Sequence, residues 1–369
     1  MAIGALSHPV HTIPAMPQVS LVAHKAHGKA QVVSGAQRLE REAAEDATLV
    51  EAACRASGAG SRLATEEPDP RRTCFERDRD RLLHASAFRR LAGKTQVFVF
   101  PSDHLRTRLT HALEVAQVAT SIARACDLNV ALTEAIALGH DCGHGPGGHA
   151  SEEALSPYVV GGFDHAVWGA DVTLADLNLC RETLDGIRNH SWRRPLAATL
   201  EGQVVSWADR IAYVCHDFED AVHARVLTAD ELPATVRHWC GPNRAAQLDV
   251  FIEGAIHHFD HTTCIGLPLE LGTVLDEFRT FNFDRIYLRP ASLAQAASVV
   301  QLLRALVDHL ATHPGLMSTS IPDPVIENDP VRAAVSYVAG MTDRFACRLA
   351  RQELDYPAAD LPRGVDIAA

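Results

Sequence analysis

Seven side chains of the types that hold metal ions or carry protons fall in three stretches of the chain: His111; then His140, Asp141, His144, His149 and Glu152; then Asp209. Imidazole combined with carboxylate suits a divalent ion of the Mg, Mn, Co, Fe, Ni or Zn group and leaves positions open for water and phosphate oxygen. Spacing indicates which of these groups can converge. His111 is followed by Val115, Val118 and Ile122 at intervals of four, three and four, so on a helix it shares their apolar face. His140 follows Leu132 and Ile136 at the same spacing, Asp141 is its neighbour, and Gly143 stands where a helix would stop. Asp209 lies between Val205 and Ala212 on another stretch that reads as a buried helix face. An unpaired buried carboxylate is costly, so inward-facing Asp and His from three helices make a natural cation cage.

Each piece alone says little. A single histidine on an apolar face is more often a satisfied core residue, and an isolated His-Asp pair is common. The ordered set, His then His-Asp then Asp on successive helices, is what assigns His111, His140, Asp141 and Asp209 to one divalent metal. These ligand types leave the identity of the ion open.

Residues 140–155 read HDCGHGPGGHASEEAL. Glycines let backbone approach a ligand closely. His149 and Glu152 are three apart and share a helix face, so the carboxylate can orient the imidazole and raise its pKa for acid work near neutral pH. A solvated histidine-rich loop before a helix start at Ser151 is the plainer reading of the same spacing. Upstream, Arg79, Arg81, Arg89, Arg90, Lys94, Arg106 and Arg108 make a basic run in a chain of net charge −12. Guanidinium forks clamp phosphates well, and Arg106 and Arg108 lie nearest His111. A solvated basic helix face is the alternative.

The elements that must position these groups are helical. Residues 36–56, 75–92, 107–126, 131–141 and 201–221 read as helices, with further patterns near 244–259, 268–280, 292–312 and 329–353. Val97–Phe100 is the best short run for a strand. The class is all-α. Residues 1–34, rich in Pro, His, Ala and Gly, read as a disordered tail; 35–72 as an N-terminal helix and linker; 73–355 as the main domain with C-terminal helices; and 356–369 as a C-terminal tail.

Composition narrows the function classes. The acidic balance argues against a duplex nucleic-acid binder. No run of about 18 apolar residues is present, so no membrane span is expected. Nine scattered cysteines without a CxxC pair argue against a disulfide framework and for reduced thiols in a cytoplasmic protein. His257, His258 and His261 lack a carboxylate at ligand spacing and read as surface residues, and His216 could line the site. Trp192, Trp207 and Trp239 read as packing residues.

Longer blocks then become recognisable: FERDRDRLLHASAFRRLAGKTQVF at 75–98, RTRLTHALEVAQVA at 106–119, ALTEAIALGHDCGHGPGGHASEEAL at 131–155, GGFDH at 161–165, LEGQVVSWADRIAYVCHDFEDAV at 200–222 and YVAGMTDRFA at 337–346. In this order they resemble the deoxyguanosinetriphosphate triphosphohydrolase-like family of HD-domain enzymes. The resemblance implies a helical HD bundle that hydrolyses deoxynucleoside triphosphates to deoxynucleoside and inorganic triphosphate, working as a homo-oligomer, with a second nucleotide as a possible effector. It implies that His111, His140, Asp141 and Asp209 are the metal ligands. His149 with Glu152, His144 and His165 would be catalytic. Arg108 would contact phosphate, Tyr213 would fence the sugar, and Asp217 and Tyr337 would stand near the nucleotide. One departure is plain: the family usually continues Gly-Gly-Phe with a His-Asn-x-Gln block, and here the residues are His165, Ala166, Val167 and Trp168. Two alternatives stay open. One is another HD phosphohydrolase acting on a nucleoside monophosphate, cyclic nucleotide or guanosine alarmone; the other is a nucleotide sensor without turnover.

Overall fold

The protein is described by a computed structural model over residues 35–320 and 323–364. The expected disordered tail at 1–34 and the last five residues lie outside the described residues. These form α1 (Arg38–Asp46), α2 (Cys74–His84), α3 (Ser86–Arg90), α4 (Arg108–Ala125), α5 (Val130–Gly139), α6 (His149–Leu155), α7 (His165–Trp168) and α8 (Arg181–Arg188). The remainder are α9 (Leu200–His223), α10 (Ala234–Cys240), α11 (Arg244–Thr262), α12 (Leu269–Asn282), α13 (Pro290–Thr312), α14 (Asp323–Asn328), α15 (Pro330–Ala339) and α16 (Asp343–Leu354). No strand occurs among the described residues, so the class is all-α.

The helices that carry the site begin on short polar caps. Thr107 accepts a hydrogen bond from the Thr110 amide at the start of α4, Asn129 does so from Leu132 at α5, and Thr199 from Gly202 at α9. Such caps satisfy amides that have no partner inside the helix. Apolar residues then drive packing into two cores. The first joins α2, α4, α5, α8, α9, α11 and α12 through residues such as Leu82, Val118, Ile136, Ile187, Val205 and Phe278. The second joins α6, α7, α13, α15 and α16 through Leu155, Trp168, Leu303, Val338 and Ala346. The glycine-rich turn 143–148 runs from one to the other, so the groups it carries sit at the seam. By length and apolar composition α13 could cross a membrane, yet Val299, Leu302, Leu303, Leu306, Val307 and Leu310 are buried in the second core.

Four expectations are corrected. Helix α1 stops at Asp46 rather than near residue 56, because the Arg55 guanidinium donates to the carbonyls of Leu49, Val50, Glu51 and Ala53 and replaces helical bonding there. The 75–92 helix breaks at Ala85, whose backbone is extended, turning α3 so that Phe88 joins Leu82 in the core. The 329–353 helix breaks at Gly340, and Thr342 caps a new start by accepting from the Phe345 amide. Val97–Phe100 is not a strand: Phe100 has a φ of 51°, which ends any extended run. Past α16, Tyr356 and Leu361 pack on the second core.

Candidate active site

Helices α4, α5 and α9 of the first core bring the expected ligands together. His111 Nε2 lies 3.0 Å from Asp209 Oδ1, and His140 Nε2 lies 3.8 Å from that oxygen and 3.5 Å from Asp141 Oδ2. Ligand atoms of His111, His140 and Asp141 all lie within 4.8 Å of one another. His140 Nδ1 is 2.6 Å from the Ala137 carbonyl, which fixes the ring, while its buried Nε2 has no hydrogen-bond partner among the described residues. A buried imidazole nitrogen left bare beside two carboxylates fits a divalent cation, so the donor set suits the expected metal.

Electrostatics keep the carboxylates ready to bind one. Burial would raise Asp141, but Arg108, His140 and His144 hold it well below the usual carboxylate range. Asp209 is likewise held low against burial by its bond to His111 and by His140. His111 is raised despite burial, by Asp209. The Arg108 guanidinium is buried and bonded to Asp141, with Nε and Nη2 free of hydrogen bonds among the described residues.

The turn after Asp141 places the remaining histidines. His144 Nε2 is 3.2 Å from Asp141 Oδ1, and its ring stacks on His165 with centroids 3.7 Å apart. Burial and Arg108 push His144 well below its ordinary value. Glu152 bonds most closely to His165, through Nδ1 and the backbone amide, and stands 3.8 Å from His149 Nδ1. Those two histidines hold Glu152 low against the effect of burial. Sequence spacing paired Glu152 with His149; in the fold it serves both, with His149 73% exposed at the start of α6 and His165 buried on α7.

The expected substrate contacts are scattered. The Arg106 guanidinium is held in an ion-pair network by Glu114, Glu219 and Asp220. Lys94 is fully buried, donating to the carbonyls of His144 and Ala339, so it braces the glycine-rich turn against α15. The basic run is also largely neutralised, Arg79 by Asp80 and Glu134, and Arg81 by Glu66. Tyr213 is one turn beyond Asp209 and accepts from Arg279 at 3.2 Å. Asp217 is buried and bonded to the Tyr287 hydroxyl, with burial pushing it up to about 7. Tyr337 packs in the second core beside Phe345. His216 is buried, its ring centroid 6.5 Å from that of His111.

Sequence reasoning missed His190. It is buried, Nε2 lies 3.1 Å from His165 Nε2, and its ring centroid is 4.9 Å from that of His140. The signal was faint: α8 is an eight-residue helix, and His190 stands just past its end, three after buried Ile187. Arg193 was also missed; it is 85% exposed, 3.9 Å from Glu152 at the mouth of the site.

A family model of the HD domain matches residues 108–214, and one of a phosphohydrolase-associated domain matches 265–352. The chain is 40% identical over 293 residues to the deoxyguanosinetriphosphate triphosphohydrolase-like protein of Caldanaerobacter subterraneus subsp. tengcongensis, covering 77% of this chain and 86% of that one. It is 39% identical to a protein of the same description from Clostridium perfringens, covering 76% and 86%. To one from Desulfatibacillum aliphaticivorans it is 36% identical, covering 80% and 91%.

Proposed function

From a chain that belongs to the deoxyguanosinetriphosphate triphosphohydrolase-like family of HD-domain proteins, we propose an enzyme that hydrolyses deoxynucleoside triphosphates to deoxynucleoside and inorganic triphosphate. The observation that carries this reading is Glu152 between His165 and His149, directly beside the His111, His140, Asp141 and Asp209 set. A proton carrier next to a divalent-ion site is what phosphoester cleavage needs.

His111, His140, Asp141 and Asp209 would hold the ion. When bound, a divalent cation supplies Lewis acidity to a phosphoryl oxygen and acidifies water. The chain does the rest. Arg108, buried against Asp141 with two unbonded nitrogens, orients the α-phosphate, and exposed Arg193 meets the outer phosphates. His149, steadied by Glu152, delivers a proton to the 5′ oxygen of the departing deoxynucleoside. His144 and His165 line the floor beneath. Tyr213 packs against the sugar edge and disfavours a 2′ hydroxyl. Nine scattered cysteines without a CxxC pair support work in the cytoplasm, and the homo-oligomer that the family resemblance implies is checked by light scattering.

The decisive experiment incubates the protein with each deoxynucleoside triphosphate, singly and mixed, with Mg, Mn or Co, and separates products by ion exchange. Deoxynucleoside plus inorganic triphosphate, absent with Asp141→Ala, is the expected result. Monophosphate plus pyrophosphate would overturn the leaving group; no turnover with any ion would shift weight to another phosphorylated ligand.

A further inference from the structure

Three histidines at this centre are held alike. His140 Nδ1 faces the Ala137 carbonyl at 2.6 Å, His190 Nδ1 faces the Ile187 carbonyl at 2.8 Å, and His165 Nδ1 bonds the Glu152 carboxylate. Carbonyls only accept, and so does an ionised carboxylate, so each Nδ1 carries its hydrogen. Each Nε2 is left to face the interior, which is the outward bonding pattern of metal-ligating imidazoles.

His165 Nε2 and His190 Nε2 then meet at 3.1 Å, both buried. Two ring lone pairs at that distance repel unless positive charge lies against them. Neighbouring ligand atoms of an ion bound at about 2.0–2.1 Å are themselves about 3 Å apart, so the separation suits a shared cation. Asp141 supplies a third donor from its other oxygen. Oδ2 lies 3.5 Å from His140 Nε2, on the side of the first set, and Oδ1 lies 3.8 Å from His165 Nε2. Ligand atoms of Asp141, His165 and His190 all fall within 4.8 Å of one another.

We propose that His165, His190 and Asp141 hold a second divalent cation, with Asp141 bridging it to the first. Paired ions about 3.5–4 Å apart grip one phosphoryl group from two sides. The inference rests on the proposed reading only for the first ion.

The test is stoichiometry. Protein loaded with Mn, then freed of loose ion by gel filtration, is assayed for metal per chain and by electron paramagnetic resonance. Two ions per chain with an exchange-coupled signal are expected, falling to one ion and an uncoupled six-line signal in His190→Gln and His190→Asn. One ion in the wild-type protein overturns the proposal, as do two ions in His190 variants with wild-type circular dichroism. If neither variant folds, the wild-type count and signal decide. Product analysis is separate: two ions with a product other than triphosphate overturns the proposed reaction alone, and triphosphate release with one ion overturns the second site alone.

Discussion

Glu152 shows how much chemistry one carboxylate can organise. It bonds the buried His165 and stands 3.8 Å from the exposed His149, so losing its charge disturbs both rings at once. Glu152→Gln keeps the shape and removes the charge. Turnover should fall by roughly 10² to 10⁴-fold, the range for losing a positioned acid–base group. The ion proposed at His111, His140, Asp141 and Asp209 should remain, as read from metal content. A variant with normal turnover would remove Glu152 from the reaction. Arg106 shows the limit of local reading. Glu114 lies eight residues on, but its other partners Glu219 and Asp220 lie on α9, more than a hundred residues away, so the full network around its charge has no local signal.

Among elements, the glycine-rich turn is the most constrained. A Cβ at Gly143 would lie 2.0 Å from the His165 carbonyl and 2.4 Å from the Gly169 amide nitrogen, both backbone atoms that cannot swing aside. Gly143→Ala should therefore cost about 2–3 kcal/mol in denaturant unfolding and push α7, with His165, out of place; an unchanged midpoint would show that the turn is loose. Lys94 braces the same turn from beneath. Burial pushes its amine down to about 7 from an ordinary 10.5. Between those values the unfolded chain holds more protons than the folded one, so stability rises with pH. The contribution of Lys94 is complete above 10.5 and is lost as pH falls through about 7. Relative to Lys94→Met, the wild-type protein should gain roughly 2–4 kcal/mol between pH 7 and pH 10 in chemical denaturation; parallel profiles would show that the buried amine keeps its charge. The helices bearing His111, His140 and Asp209 were legible because long apolar periodicity dictates which side faces in. His190 was not, because it follows a short helix on irregular chain. The breaks at Ala85 and Gly340 depend on packing and capping that a continuous helical pattern conceals.

At the scale of the molecule, the site belongs to neither core alone. Its proposed ion ligands come from α4, the end of α5, and α9 of the first core, while Leu155 on the His149 helix and Trp168 on the His165 helix are anchored in the second. An ion that ties three helices binds the folded chain and not the unfolded one. At a free concentration of 100 times Kd this is worth about 2.7 kcal/mol. Chelation should therefore lower the melting temperature by a few degrees, and Asp209→Ala should abolish that difference; a melting point indifferent to chelator in the wild-type protein would contradict an ion at these residues. The all-α class and the divide between ligand-bearing and supporting helices could be read from sequence, because both follow from periodicity. How two cores meet at a seam could not, because that depends on contacts between α6 or α7 and helices far along the chain.

The guanidinium of Arg210, the residue after Asp209, lies 3.4 Å from the centre of the Trp192 ring, with Trp207 edge-on at 4.7 Å. A cation laid on an indole face perturbs its excited state. The protein thus carries an intrinsic fluorophore wired to the helix that bears Asp209. Any anion that draws Arg210 away would change the emission of Trp192, so ligand arrival could be titrated optically without label or turnover, with Trp192→Phe as the blank.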